Sequence, residues 1–147
     1  MVEQYKFQKL AVYQSALEYI DRTYELTKQL PDSERYNLRS QLERASTSIA
    51  LNIAEGSTGQ SDAEQNRFLG LALRSYLETV ACLDPIERRG YVHAKATNRL
   101  RENGHQVFIK LQAFRKKLLS DPQSPVSGPR SPVSSSPSPV SGPRSPS

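Results

Sequence analysis

Three side chains carry the chemistry most often used in metal or covalent sites, namely Cys82, His93 and His105. A thiol and two imidazoles are the soft ligands of zinc and the nucleophile and base of covalent catalysis. Here they are too few and too scattered along the chain to converge without acidic help. Glu55 and Glu78 are carboxylates that facing helices of a bundle would bring together. No Glu-x-x-His step accompanies them, however, so a di-iron site is not expected. The glycines stand at 56, 59, 70, 90, 104, 128 and 142, which leaves no phosphate loop, dinucleotide fingerprint or hydrolase elbow before residue 121. Cys82 reads as a small buried hydrophobe and His105 as a partly exposed helix residue. The expectation is a protein without catalytic residues, metal or cofactor.

The remaining chemistry is charge. The 147 residues hold 20 Lys or Arg against 15 Asp or Glu, a formal net charge of +5. Residues 1–31 are balanced, and residues 32–56 and 57–90 each sum to −1. Residues 91–120 carry Lys95, Arg99, Arg101, Lys110, Arg115, Lys116 and Lys117 against Glu102 alone, a sum of +6. At helical spacing Lys95, Arg99, Gln106, Lys110 and Lys117 share one stripe, which Arg88 and Arg89 would extend. Such a stripe binds nucleic acid through phosphate contacts and counterion release. The competing reading of the same residues is an ordinary solvated helix face.

Four helices must position these groups. The first shows Leu10, Tyr13, Leu17, Ile20, Tyr24 and Thr27 at alternating steps of three and four, and Pro31 closes it. Asp32-Ser33-Glu34 supplies a cap and acidic residues for the second, which carries Leu38, Leu42, Ala45, Ile49 and Asn52 or Ile53, with Gly56 as a left-handed C-cap. Ser61 and Glu64 have capping-box spacing at the start of the third, which runs through Phe68, Ala72, Ser75, Thr79, Cys82 and Ile86 to Gly90. Pro85 should kink or end it. The fourth gives Thr97, Leu100, Gly104, Val107, Leu111, Phe114 and Leu118. Short connections between amphipathic helices predict an all-α, antiparallel up-and-down four-helix bundle over residues 1–120. Asn52 on its inner face is expected to fix register by hydrogen bonding.

The third helix is apolar too far around. Leu69, Leu71, Leu73, Leu77, Val80 and Leu83 lie off the Phe68 stripe, which predicts self-association through this helix, with Leu69, Leu73, Leu77 and Val80 at the interface, or a wide core stripe with scattered exposed leucines. Residues 121–147 hold eight of the ten prolines, and SPVSGPRSP occurs at 124–132 and again at 138–146. That composition predicts a disordered Ser/Pro-rich tail with polyproline II character. With no apolar run long enough for a span and no leader-like N-terminus, a cytoplasmic protein is expected.

Several runs together resemble a known family. They are Phe7-Gln8-Lys9-Leu10-Ala11-Val12-Tyr13-Gln14, Leu30-Pro31-Asp32-Ser33-Glu34, Ser48-Ile49-Ala50-Leu51-Asn52-Ile53-Ala54-Glu55-Gly56, Phe68 through Ser75 with Glu78, and Gly90-Tyr91-Val92. Over about residues 5–119 the chain resembles the bacterial 23S ribosomal RNA intervening-sequence proteins, a family that includes relatives of Avd, the accessory variability determinant of diversity-generating retroelements. The resemblance implies a homopentameric barrel of four-helix bundles with a basic surface. For Avd-type members it implies a reverse transcriptase and RNA or cDNA as partners, and no membrane. It also implies packing or capping roles for Asn52, Glu55, Gly56 and Glu78. Arg74 before Ser75, Pro85 and the Ser/Pro tail depart from the family pattern.

Overall fold

The computed structural model describes residues 2–59 and 61–120; the two SPVSGPRSP repeats lie outside them. A short 3-10 turn, Lys6–Lys9, leads into α1 (Ala11–Thr27). There follow α2 (Leu38–Gly56), α3 (Asp62–Arg88) and α4 (Ala94–Ser120), and no strand occurs among the described residues. Each helix packs on two neighbours, so α1, α2, α3 and α4 form a closed ring. The contacts that join neighbours are antiparallel. Thr27 near the end of α1 donates to Glu43 near the start of α2 (2.6 Å), and Asn66 early in α3 meets Arg115 late in α4 (3.0 Å). Four helices with wide apolar faces bury them most completely in this arrangement, because each covers the flanks of the next.

The core contains Tyr19, Leu42, Ile49, Ile53, Leu69, Leu83, Ile86, Val107 and Leu111, all fully buried. The α2 and α4 faces are those predicted, with Ile53 rather than Asn52 innermost. On α3 two heptad columns face inward, Leu69-Tyr76-Leu83 and Ala72-Thr79-Ile86. Leu69 is therefore a core residue, 0% exposed, and its assignment to an oligomer face is corrected. The α1 face is also corrected. Val12, Ala16, Tyr19, Thr23 and Leu26 point inward; of the expected face only Thr27 is fully buried, Leu10, Tyr13, Leu17 and Ile20 are half-buried along the flank, and Tyr24 is exposed. Both faces have helical period, and the structure buries the one whose small Ala16 and Thr23 let the helices approach closely.

Helix ends explain three further differences. Gly56 does not take a left-handed conformation; it is the buried last residue of α2, and the residue with positive φ in that connection is Gly59 (φ 99°). A Cβ on Gly56 would stand 2.6 Å from Phe68 Cβ, so glycine permits the tight α2–α3 corner. Pro85 does not end α3, which continues to Arg88. Only the Pro85 N–H is missing, and Gly90 (φ 67°) then closes the helix, with Gly90 N–H donating to Glu87 O and Tyr91 N–H to Ile86 O in a Schellman arrangement. Asp32–Glu34 forms a 3-10 turn ahead of α2 rather than its first turn. From there Glu34 accepts from Asn37 Nδ2 (2.9 Å) and the Leu38 N–H (3.4 Å), capping α2, and from the Tyr91 hydroxyl (2.9 Å). At α3, Ser61 Oγ accepts the Glu64 N–H (3.1 Å) as expected, while the Glu64 carboxylate turns to Arg67 (2.8 Å).

Candidate nucleic-acid interface

The start of α4 is set by His93, whose Nδ1 accepts the Lys95 N–H (3.1 Å) and satisfies one open donor of the first turn. Thr97, Leu100, Gly104, Val107, Leu111 and Leu118 then anchor the helix in the core. This fixes where its cations lie, and they divide into two groups.

Three of the seven are tied to the bundle. Arg101 donates to Asp84 (3.0 Å) and Glu87 (3.1 Å) on α3. Partial burial works against its charge, but these two carboxylates outweigh it and hold the guanidinium above its ordinary pKa. Arg115 donates from Nε to Asn66 Oδ1 (3.0 Å) and lies over Gly70. Lys110 donates to Ser15 Oγ on α1 (2.9 Å). Lys95, Arg99, Lys116 and Lys117 are exposed, and none of them forms an ion pair among the described residues.

Lys95, Arg99, Lys110 and Lys117 run along the flank of α4 that meets α1, spanning about 33 Å at 1.5 Å per residue. Lys117 and Lys6 line a cavity of about 470 Å³ beside Leu10 and Phe114 at one end of this flank. Lys6 was not predicted, because its segment is neutral overall and only the fold brings it to α4. Near the other end a smaller cleft of about 150 Å³ opens between α1 and α4, floored by Leu26 and Leu100 and rimmed by Arg99, Asn103, Glu25 and Gln29. Asn103 Oδ1 is buried there without a hydrogen-bond partner. Asn103 was also missed; its only sequence signal is a polar side chain one position before Gly104 of the α4 seam. Arg88 and Arg89 are exposed at the end of α3, Arg89 lying 5.9 Å from the centre of the Tyr91 ring.

The side chains first considered for chemistry stay apart. Cys82 is buried, and burial, with Glu78 nearby, pushes its thiol pKa up, the opposite of an activated thiolate. His93 and His105 are exposed, His105 stacking on Phe108 at 5.9 Å. Glu55 and Glu78 are exposed, and neither side chain hydrogen bonds to the described residues. Among those residues no three His, Cys, Asp or Glu side chains gather as a metal site, and no helix is long and apolar enough to cross a membrane. Asn52 donates to the Ser48 carbonyl (2.9 Å) and to Ser48 Oγ (3.1 Å), which in turn meets Ser75 Oγ across the α2–α3 contact (2.9 Å). On α3, Leu73 and Val80 are half-buried against the core and Leu77 is 51% exposed.

No curated protein matches this sequence. A crystal structure of a protein of unknown function from the S23 ribosomal protein family of Bacteroides thetaiotaomicron VPI-5482 is similar, with a TM-score of 0.67 and 26% identity, covering 72% of this chain and 99% of that one. Residues 8–113 match the family described as 23S rRNA-intervening sequence protein, and that stretch contains nearly all of α1 through α4. The chain belongs to the family of 23S rRNA-intervening sequence proteins.

Proposed function

We propose that this protein is a non-catalytic accessory protein that binds nucleic acid along α4 and works as a homo-oligomer, a pentamer by its sequence resemblance. The supporting observation is the separation of α4's cations. Arg101 is neutralised by Asp84 and Glu87, whereas Lys95, Arg99, Lys116 and Lys117 have no acidic partner among the described residues. Unpaired cations on a rigid helix attract phosphates at little conformational cost, and oligomerisation would multiply the patch. Resemblance to Avd relatives supports RNA or cDNA as the ligand and a reverse transcriptase as the protein partner. Genomic neighbourhood separates the two roles: a reverse-transcriptase gene alongside would select the retroelement role, and an enclosing ribosomal RNA gene would select an intervening-sequence product without it.

The test is binding of the full chain to a structured RNA across a salt series. Affinity is expected to fall steeply with salt, and reversal of Lys95, Arg99, Lys116 and Lys117 to Glu should abolish binding. Unchanged affinity in that variant overturns the proposal. The exposed Leu77 favours a second reading, a protein–protein scaffold; it predicts capture of a protein partner that survives charge reversal and is lost in Leu77→Asp.

A further inference from the structure

We infer that the corner between α1 and α2 is a second contact for nucleic acid, a stacking site for an unpaired base built on Tyr36 and ringed by arginine. The inference rests on the nucleic-acid reading and deepens it, because it commits the ligand to unpaired strands. An open concavity of about 460 Å³ lies between the end of α1 and the first turns of α2. Tyr36, in the turn ahead of α2, lines it and is 87% exposed. Tyr24 of α1 lines it as well, 41% exposed. An open ring of this kind stacks any base, since every base has a π-face.

The charge around these rings is one-sided. Arg35, Arg39 and Arg44 line the concavity against a single carboxylate, Glu43. Glu43 is already engaged, accepting from Arg39 Nε (3.1 Å) and from the Thr27 hydroxyl (2.6 Å). Asp32 and Glu34, in the preceding turn, do not line it. Arg35 and Arg44 are exposed and form no ion pair among the described residues. The Arg35 guanidinium lies 5.6 Å from the centre of the Tyr36 ring, so charge and stacking surface are joined before a ligand arrives. Arg35 and Arg39 also stand at the positive end of the α2 dipole, where cations cost stability and a phosphate gains it. Guanidiniums present a planar fork of donors that suits phosphate oxygens, and the open ring beside them suits a base. Paired bases keep their faces inside the duplex stack, so the ligand is a single strand, loop or bulge. The bond from Tyr91 to Glu34 sets this corner at the end of the bundle where the α4 cations begin.

The experiment measures binding of the full chain to oligouridylate and to an abasic strand of equal length, by fluorescence anisotropy across a salt series. The abasic strand carries the same phosphates and no bases. Oligouridylate is expected to bind about tenfold tighter, the worth of one stacked base. Tyr36→Ala should remove that margin with the salt slope unchanged, and Tyr36→Phe should keep it. Arg35→Gln combined with Arg44→Gln should instead lower the slope by about 1.4, two phosphate contacts on a single strand. Thermal midpoints should match the parent's, because these side chains are exposed. Equal affinity of the parent for both strands, a margin that survives Tyr36→Ala, or a slope that survives the arginine pair overturns the site and leaves the α4 interface standing. A lower oligomer mass for Tyr36→Ala without RNA overturns it too, because a second copy of the chain then covers the ring. Binding of neither strand at low salt overturns the nucleic-acid reading and this site together.

Discussion

The Tyr19 hydroxyl on α1 lies 2.8 Å from Thr79 Oγ1 on α3, a hydrogen bond between helices that are not neighbours in the ring. Thr79's single hydroxyl proton goes to the Tyr76 carbonyl, so Tyr19 is the donor. Both side chains are almost completely buried. A polar link through the core diagonal is satisfied in one register only, which makes it a device for specificity as well as stability.

Burial pushes the Tyr19 pKa from 10.0 up to about 12. Between those values the unfolded phenol releases its proton while the native one keeps it. Stability is therefore intact below about pH 10 and falls as pH rises toward 12, by about 2–3 kcal/mol from this group. Urea unfolding across that interval should show the decline. Tyr19→Phe should flatten it and cost about 1 kcal/mol at neutral pH, the value of one buried hydrogen bond.

The glycines should separate by what a methyl group would meet. In Gly56→Ala the new Cβ would lie 2.6 Å from Phe68 Cβ, which is close to backbone and has little room to give. In Gly104→Ala it would lie 2.9 Å from the Tyr76 ring and 3.0 Å from that of Tyr19. In Gly70→Ala the nearest atom is the Arg115 guanidinium at an ordinary 3.6 Å. Thermal denaturation should rank Gly56→Ala as most destabilising and Gly104→Ala next, at about 1–3 kcal/mol for overpacking. Gly70→Ala should be neutral or stabilising by up to about 1 kcal/mol, from helix propensity.

Arg101 and Lys117 are both cations of α4, yet their substitutions should read out differently. Arg101→Gln breaks the bridge to Asp84 and Glu87 and should lower the melting temperature, with little change in the salt slope of RNA binding. Lys117→Gln should leave the melting temperature unchanged and reduce the slope by about 0.7, the contribution of one phosphate contact on a single strand. Equal slopes for Lys117→Gln and the parent chain would remove Lys117 from the interface.

Leu77 is more than half exposed on α3, whereas Leu73 and Val80 also contact the core. If this face joins subunits, Leu77→Asp should lower the oligomer mass in sedimentation velocity without lowering the helical content. Leu69→Asp should instead unfold the protein, because Leu69 is wholly inside the bundle.

The helices themselves were legible because their apolar residues recur at steps of three and four, and the α4 seam agrees with the structure almost residue by residue. The inner face of α1 was not. Tyr13, Leu17, Ile20 and Tyr24 have as good a period as Val12, Ala16, Tyr19 and Thr23, and greater bulk. Close packing chose the set with smaller members, a tertiary preference that periodicity does not contain. Pro85 misled for a related reason, since the tertiary setting tolerates one missing N–H near a helix end. At the candidate interface, α4's net charge was readable from composition, but which cations are free was not. Asp84 and Glu87 are far enough from Arg101 in sequence that only the fold makes them its partners.

The bond from Tyr91 to Glu34 ties the α3–α4 turn to the segment ahead of α2. Both connections lie at the same end of the bundle, so that end is laced shut from loop to loop. This bond, together with that from Asn37, holds the Glu34 carboxyl below its ordinary pKa, and the lacing loosens only when pH falls through that lowered value. At the opposite end, where Lys6 and Lys117 line their cavity, Arg115 of α4 is held by Asn66 of α3, but no side-chain hydrogen bond joins the segment before α1 to the end of α4 among the described residues. The bundle is thus mechanically lopsided. Amide exchange in the first turn of α1 and the last turn of α4 should be faster than in the turns beside Tyr91, placing the yielding half of the molecule around Lys6, Lys116 and Lys117.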